Sequence, residues 1–256
     1  MIAWRSGGWR ELARYPSAIA GVAIILALVG VALAAPLAVP YGEALERWRG
    51  GEHWQYHPVN AAPAWVDRLG GGRAPTTRVI ASRDVEAEVN PFPGGRRLTL
   101  PLTFDYAFDD FPSELNLFLT AEGHARPPFV RLLWQTPDGR EIPLGGHRLG
   151  ERERISISQD RALAQRLGGL APHIGLFSAE KAEGEAGAPS LQTGRYGLVL
   201  EAVLFDAEAP LEAELVVYGR VHGIAGTDHQ RRALSLALLW GTPVALAFGL
   251  IAAVGT

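Results

Sequence analysis

Two long runs without a charged residue bracket this chain of 256 residues. Ser17 to Val39 reads SAIAGVAIILALVGVALAAPLAV and is closed by Pro40, and Ala233 to Val254 reads ALSLALLWGTPVALAFGLIAAV. A helix rises 1.5 Å per residue, so each run is long enough to cross a hydrocarbon core of about 30 Å. A chain built this way cannot be one soluble globule, because the middle between the runs has an ordinary soluble composition. Hydrophobic residues make up 48% of the chain and charged residues 20%, and the apolar excess sits at the ends.

For the first run the rival to an anchor is a cleaved leader, since Ala32-Leu33-Ala34 followed by Ala35 has the small residues of a cleavage site. The run exceeds the usual leader core and continues past that site, which favours a transmembrane helix over 17–39. Tyr15 and Trp9 before it, and Tyr41 and Trp48 after it, are the aromatics expected at the two interfaces. Arg5, Arg10 and Arg14 lie in the short tail 1–16, and the positive-inside rule then places that tail in the cytoplasm. The middle is expected to be extracytoplasmic in a multi-pass protein of the cell (inner) membrane. The second run contains Pro243, so the expectation is a Gly-Thr-Asp segment and surface helix over 224–242, with a second span starting at 243. A span beginning there is unfinished at Thr256, and truncation of a longer chain is expected.

The middle, residues 41 to 225, carries 19 basic and 25 acidic residues and the single lysine, Lys181. Nucleic-acid binding needs clustered cations, and no such footprint is present. No cysteine occurs, which removes disulfides, thiolate metal sites and cysteine nucleophiles. Residues 40–78 are rich in Gly, Pro and aromatics and read as an irregular extracytoplasmic lead-in with a short helix near Ala64 to Leu69.

Residues 79–223 are expected to form an antiparallel β-sandwich. Alternation marks strands at 96–108, with Leu98, Leu100, Leu102 and Phe104 on one face, and at 114–122, with Leu115, Leu117 and Leu119. Further strands are expected at 129–136, 152–158, 195–206 and 211–223, and Pro137-Asp138-Gly139 predicts a hairpin turn into REIPLG. One helix is predicted at 159–167, capped by Ser158 and stopped by Gly168-Gly169. The stretch 179–194 reads as a mobile loop.

Few residues suggest chemistry. His53 and His57, beside Glu52, share helical spacing, but no third ligand is nearby and packed or solvated histidines are the expectation. Asp105, Asp109, Asp110 and Glu114 form an acidic cluster without the frame of a calcium loop, and read as a turn with solvated carboxylates. No hydrolase elbow, phosphate loop or zinc-protease motif occurs, so neither a catalytic residue, a cofactor nor a metal is expected.

Both ends resemble the permease subunits of oligopeptide, dipeptide and nickel-type ABC importers. At the amino terminus the resemblance rests on residues 9–43, with the exit Ala35-Pro36-Leu37 and Pro40-Tyr41, and on HPVNAAPAWVDRL at 57–69. At the other end it rests on AGTDHQRRALSLALLWGTPVALAFGL, which keeps Gly226, Thr227, Asp228, Arg232, Gly241, Leu246 and Gly249 of the family motif. It departs at Arg231, where the family has glycine, and at Ala233, Ala237 and Pro243, where it has Asp, Arg and Arg. A generic helix start capped by Thr227 or Asp228 accounts for the tripeptide equally well. The resemblance implies a second permease subunit, cytoplasmic ABC ATPase subunits docking through a region absent from this chain, and an extracytoplasmic substrate-binding protein. The alternative is a membrane-anchored extracytoplasmic β-sandwich that binds or senses a ligand.

Overall fold

A computed structural model describes residues 15–50, 54–180, 187–206 and 209–255. The chain divides into two units, one of residues 1–54 and 232–256, the other of residues 55–231.

The first unit is helical. Helix α1 spans Pro16–Ala38, with Pro16 at its first turn, where a missing N–H costs nothing. Helix α2 follows over Tyr41–Arg49, and the long α6 spans Leu234–Val254. Apolar side chains such as Ile24, Ile25, Leu26 and Leu33 on α1 and Leu238, Phe248 and Ile251 on α6 are exposed. A helix of this length that is apolar all round and uncovered by protein is solvated by lipid. The chain is a membrane protein with two candidate transmembrane helices. The helices also meet: the Trp240 indole donates to Val39 O at 3.2 Å, and its ring meets Tyr41 edge-on at 5.2 Å.

Two expectations change here. The stretch after Pro40 is helical rather than irregular, because Glu43 and Arg47 pair at i,i+4 (2.5 Å) and their signs match the two ends of the helix dipole. Helix α6 also runs unbroken through Pro243, so a surface helix ending at 242 and a span beginning at 243 are not what forms. Breaking the helix there would strip several backbone groups of partners, whereas a proline removes one; apolar spans tolerate it for that reason. Thr242 Oγ1, next to the proline, donates back to Leu238 O at 2.7 Å. Trp9 and the three arginines of the tail lie outside the described residues.

The second unit is a β-sandwich of two antiparallel sheets. Its strands are β1 (Arg78–Ala81), β2 (Glu88–Phe92), β3 (Gly95–Tyr106), β4 (Glu114–Thr120), β5 (Phe129–Gln135), β6 (Glu141–Arg148), β7 (Arg152–Ser156), β8 (Gly194–Leu204) and β9 (Glu212–Tyr218). The four-stranded sheet has the order β1-β9-β4-β7, the five-stranded sheet β2-β3-β8-β5-β6. A short helix α3 (Val66–Gly70) precedes β1, and α4 (Arg161–Arg166) and α5 (Pro172–Gly175) lie between β7 and β8 in the chain.

Alternation decides the faces. Leu98, Leu100, Leu102, Phe104 and Tyr106 of β3 are buried, as are their partners Leu200, Leu198 and Tyr196 on β8. Leu115, Leu117 and Leu119 of β4 and Leu215 and Val217 of β9 complete one core from the opposite sheet. Aromatics close one end of it: the Phe177 ring lies 4.6 Å from Tyr196, 4.7 Å from Tyr106 and 5.4 Å from Trp134. Each polar tip there has a partner, with Trp134 Nε1 donating to Leu176 O, Tyr106 to Asp110 O and Tyr196 to Gln192 O. The turn at Pro137-Asp138-Gly139 closes the β5–β6 hairpin, with Gly139 N donating to Thr136 O.

Strands β1 and β2 were not expected. Both are edges; β2 is exposed throughout and contains Pro91, which an edge tolerates, so neither leaves an alternating pattern to read. The helix near 160 is capped by Asp160, whose carboxylate accepts from Leu163 N at 3.0 Å, and not by Ser158. Ser158 instead accepts from Leu115 N at 2.6 Å, a bond to a strand 43 residues earlier. Gly168 and Gly169, at φ +72° and +85°, do end it. In the expected loop 179–194, residues 181–186 lie outside the described residues, and Ser178 pairs with Leu191 across it.

Candidate functional site

Within this unit the resemblance lies in 57–69 and in the stretch from Ala225, and these segments, with residues 220–223 before the second, are bonded to each other. Ala62 N donates to Arg220 O and His222 N to Ala62 O; Ala64 N donates to Gly223 O, and Asn60 N to Asp228 O. Thr227 is the centre of this seam. It is buried; its N–H donates to Ala61 O at 3.0 Å, its hydroxyl donates to Pro58 O at 2.6 Å, and the same oxygen accepts from Ala61 N at 2.9 Å. One threonine thereby satisfies three backbone groups of the facing segment. Serine, lacking the methyl, would do so with less packing, and valine would leave two buried groups unpaired.

Gly226 allows the approach. Its φ is +76°, and a Cβ built there would stand 2.1 Å from Ala61 O. Asp228 forms a turn, its carboxylate accepting from Gln230 N at 2.9 Å. Neither Thr227 nor Asp228 caps a helix: α6 starts later, at Leu234, with Ala233 before it and no side-chain cap.

Arg231 answers the departure from the family glycine. Its φ is +66°, a left-handed conformation that glycine adopts freely and arginine does not. The side chain offsets that strain. Its guanidinium pairs with Glu114, donates to His57 O at 2.7 Å, and lies 4.6 Å over the Tyr218 ring. Both charged partners are largely buried, at 17% and 15% side-chain exposure. Burial, ahead of the nearby polar groups, pushes the Tyr218 phenol up; its hydroxyl donates to Gln55 O. Tyr56 also lies on this face, donating to Glu214 at 2.5 Å and meeting Phe118 edge-on at 6.2 Å. The lead-in thus covers the outer face of the four-stranded sheet, and Val216 and Tyr218 are buried although they point away from the core.

The acidic cluster is distributed among arginines. Asp105 meets Arg195 (3.2 Å), Asp109 meets Arg73 (3.5 Å), Asp110 meets Arg220 (2.9 Å), and Glu114 meets Arg231. The first three are surface pairs of small energetic value. Glu114 is not the solvated carboxylate expected. Of the two histidines at helical spacing, His53 lies outside the described residues with Glu52. His57 instead faces His222, with ring centroids 4.2 Å apart. Burial, then His57, holds the His222 imidazole below its ordinary range, and burial, then Arg220, does the same to His173. Among the described residues no three metal-ligating side chains converge.

Arg232, Gly241 and Gly249 belong to the helical unit. Arg232 lies 4.1 Å over the Trp48 ring, while Gly241 and Gly249 lie on α6 with no neighbour within 4 Å of where a Cβ would be. Sequence reading missed Pro58, Asn60 and Ala61 as partners of the Gly-Thr-Asp segment and Arg231 as a clamp. The glycine that the related motif carries at this position was the one sequence signal available for Arg231.

Comparison with curated proteins yields no match. Among solved structures the chain is similar to TmCBM61 in complex with β-1,4-galactotriose, at 9% identity over 59% of this chain and 91% of that one, with a TM-score of 0.20. It is also similar to an exo-β-agarase, at 10% identity over 63% of this chain and 25% of that one (TM-score 0.23). A third is a carbohydrate-binding module of the β-sandwich super family, at 12% identity over 64% and 62% (TM-score 0.20). Scores this low carry no inference about the sandwich. Residues 4–63 match the family described as the N-terminal TM domain of oligopeptide transport permease C. That match covers the first apolar helix and the lead-in as far as the Thr227 seam, and it makes the amino-terminal portion of this chain that of an oligopeptide transport permease C-like protein, a domain that indicates a permease subunit of a peptide transporter.

Proposed function

We propose that the protein is the permease subunit of an ABC importer for peptides or similar small solutes, contributing part of the translocation pathway and no catalysis. The observation that carries this reading is the match of residues 4–63 to the permease domain. The seam supports it: Gly226-Thr227-Asp228, which resembles the family motif, is bonded to residues at the end of the matched segment. On this reading the sandwich is extracytoplasmic, inserted between the first and second spans, and serves as a docking surface for a substrate-binding protein or for the second permease subunit. Cytoplasmic ATPase subunits drive the cycle. Gly226, Thr227 and Asp228 then act as positioning residues that fasten the lead-in to the insert.

The test is co-purification of the complete gene product with its candidate ATPase and second permease subunit from detergent. Stable association with both is expected, and association with neither overturns the proposal. Placement is tested separately in intact cells with a membrane-impermeant maleimide on an Asn90→Cys variant, which the cysteine-free chain allows without background. Labelling before lysis is expected; labelling only after lysis refutes an extracytoplasmic sandwich.

A further inference from the structure

The outward face of the five-stranded sheet carries a hollow of about 330 Å³, lined by Arg97, Phe129, Arg131, Glu201 and Val203. Strand register brings these residues together. Arg97 on β3 pairs with Val203 on β8, and Val203 with Phe129 on β5, while Glu201 pairs with Arg131 one row along. Their chain neighbours Leu98, Ala202, Val130 and Leu132 are buried, so alternation turns the five side chains away from the core. The Phe129 ring lies against Gly146 of β6, where a Cβ would stand 2.5 Å from it. Glycine there lets the ring rest against the sheet, and Phe129 keeps 44% of its surface exposed.

Charge sets this hollow apart from the rest of the surface. Arg195, Arg73 and Arg220 each meet a carboxylate within 3.5 Å, whereas Arg97 makes no hydrogen bond or ion pair with a described residue. Arg131 reaches Glu201 only at 3.9 Å, with its side chain 70% exposed. Carboxylates are not scarce, since residues 41–225 hold 25 acidic against 19 basic groups. Two guanidiniums against one carboxylate leave the hollow with one uncompensated positive charge. We propose that it binds a monocarboxylate carried on an apolar or aromatic body, with the carboxylate on Arg97 and the body against Phe129 and Val203. The planar guanidinium fork matches the two oxygens of a carboxylate, and the exposed ring face accepts a flat apolar group. The volume is at the small end of ligand pockets, about 300 Å³. Glu201 repels a second negative charge, which selects one carboxylate over a dianion. The site lies wholly within the sandwich unit and depends on neither apolar helix.

The experiment titrates 3-phenylpropionate into the full chain in detergent and reads binding by ligand-observed saturation-transfer NMR. Its uncharged isostere 3-phenylpropionamide is titrated in parallel, and both are repeated on Arg97→Gln and Arg195→Gln. Arg97 is exposed and bonded to no described residue, so its loss leaves the fold intact. Arg195 lies six residues from Glu201 on β8, paired with Asp105, and controls for general charge and for partition into the micelle. Saturable binding of the acid is expected at about 1 mM, at least tenfold weaker for the amide and for Arg97→Gln, and unchanged for Arg195→Gln. Absence of saturation, equal affinity of acid and amide, or equal affinity of Arg97→Gln and the parent overturns the proposal. A third probe, N-acetyl-alanyl-phenylalanine, separates two sources of the same chemistry. Binding at least tenfold tighter than 3-phenylpropionate supports the site with a polypeptide carboxyl terminus as its ligand, and equal or weaker binding supports it with a free organic acid.

Discussion

Replacing Gly226 by alanine tests whether the seam depends on one missing side chain. Two costs add. A left-handed φ of +76° disfavours any Cβ by roughly 1–2 kcal/mol. The new methyl would also stand 2.1 Å from Ala61 O, and that atom is backbone already engaged by Thr227 N. The two segments must separate by about an ångström, and the three bonds of Thr227 with Pro58 and Ala61 cannot all survive. At about 1 kcal/mol for each bond lost, the seam weakens by roughly 3–5 kcal/mol in total. The core of the sandwich shares none of these contacts, so the loss should stay local. Hydrogen exchange in the detergent-solubilised chain reads this directly. The Ala61 and Thr227 amides should exchange about a hundred-fold faster or more, at 1.4 kcal/mol per tenfold, while amides of β3 and β8 keep their protection. Exchange at Ala61 within about twofold of the parent would refute the argument. Thr227→Val, which keeps the shape and removes the hydroxyl, should reproduce a large part of the effect without backbone strain.

Three further outcomes are expected. Arg231→Ala should lower stability by about 2–4 kcal/mol because Glu114 is left largely buried without its cation. Arg231→Gly should recover about 1 kcal/mol of that by relieving the positive φ, and urea unfolding of both variants, with Glu114→Gln completing a double-mutant cycle, separates pairing from strain. His222 and His173 are held below their ordinary range in the folded chain, so the unfolded chain takes up protons first and stability falls as pH drops below about 6.5. The urea midpoint should therefore decrease from about pH 7.5 to about pH 5.5, and His222→Gln with His173→Gln should flatten that slope; an unchanged slope in the double variant refutes the assignment. Trp134→Ala should cost about 3–5 kcal/mol through the cavity left among Phe104, Phe177 and Tyr196, and a loss under about 1 kcal/mol in thermal unfolding would show that the aromatic end of the core is loosely packed.

What could be read before the structure was whatever depends on near neighbours in the chain. Ser17 to Val39 and Ala233 to Val254 announce helices because absence of charge over twenty residues is a local property, and β3, β4 and β8 announce themselves because their leucines alternate. Even Pro243 could be noticed, although what it does to α6 could not: the cost of a break depends on the solvent around the helix. The edge strands β1 and β2, short or flanked by water on both faces, carry no alternation. Tertiary structure alone decided the rest, because it pairs groups across loops whose closure leaves no mark on either end. Thr227 finds Ala61 across 166 residues, Arg231 finds Glu114 across 117, and Ser158 serves a strand instead of a helix. The sequence determined two long apolar helices and a layered β domain between them. Only the folded chain decided that the Gly-Thr-Asp segment is a clasp on the lead-in, since a hydrogen-bonded seam is specified by both of its sides at once.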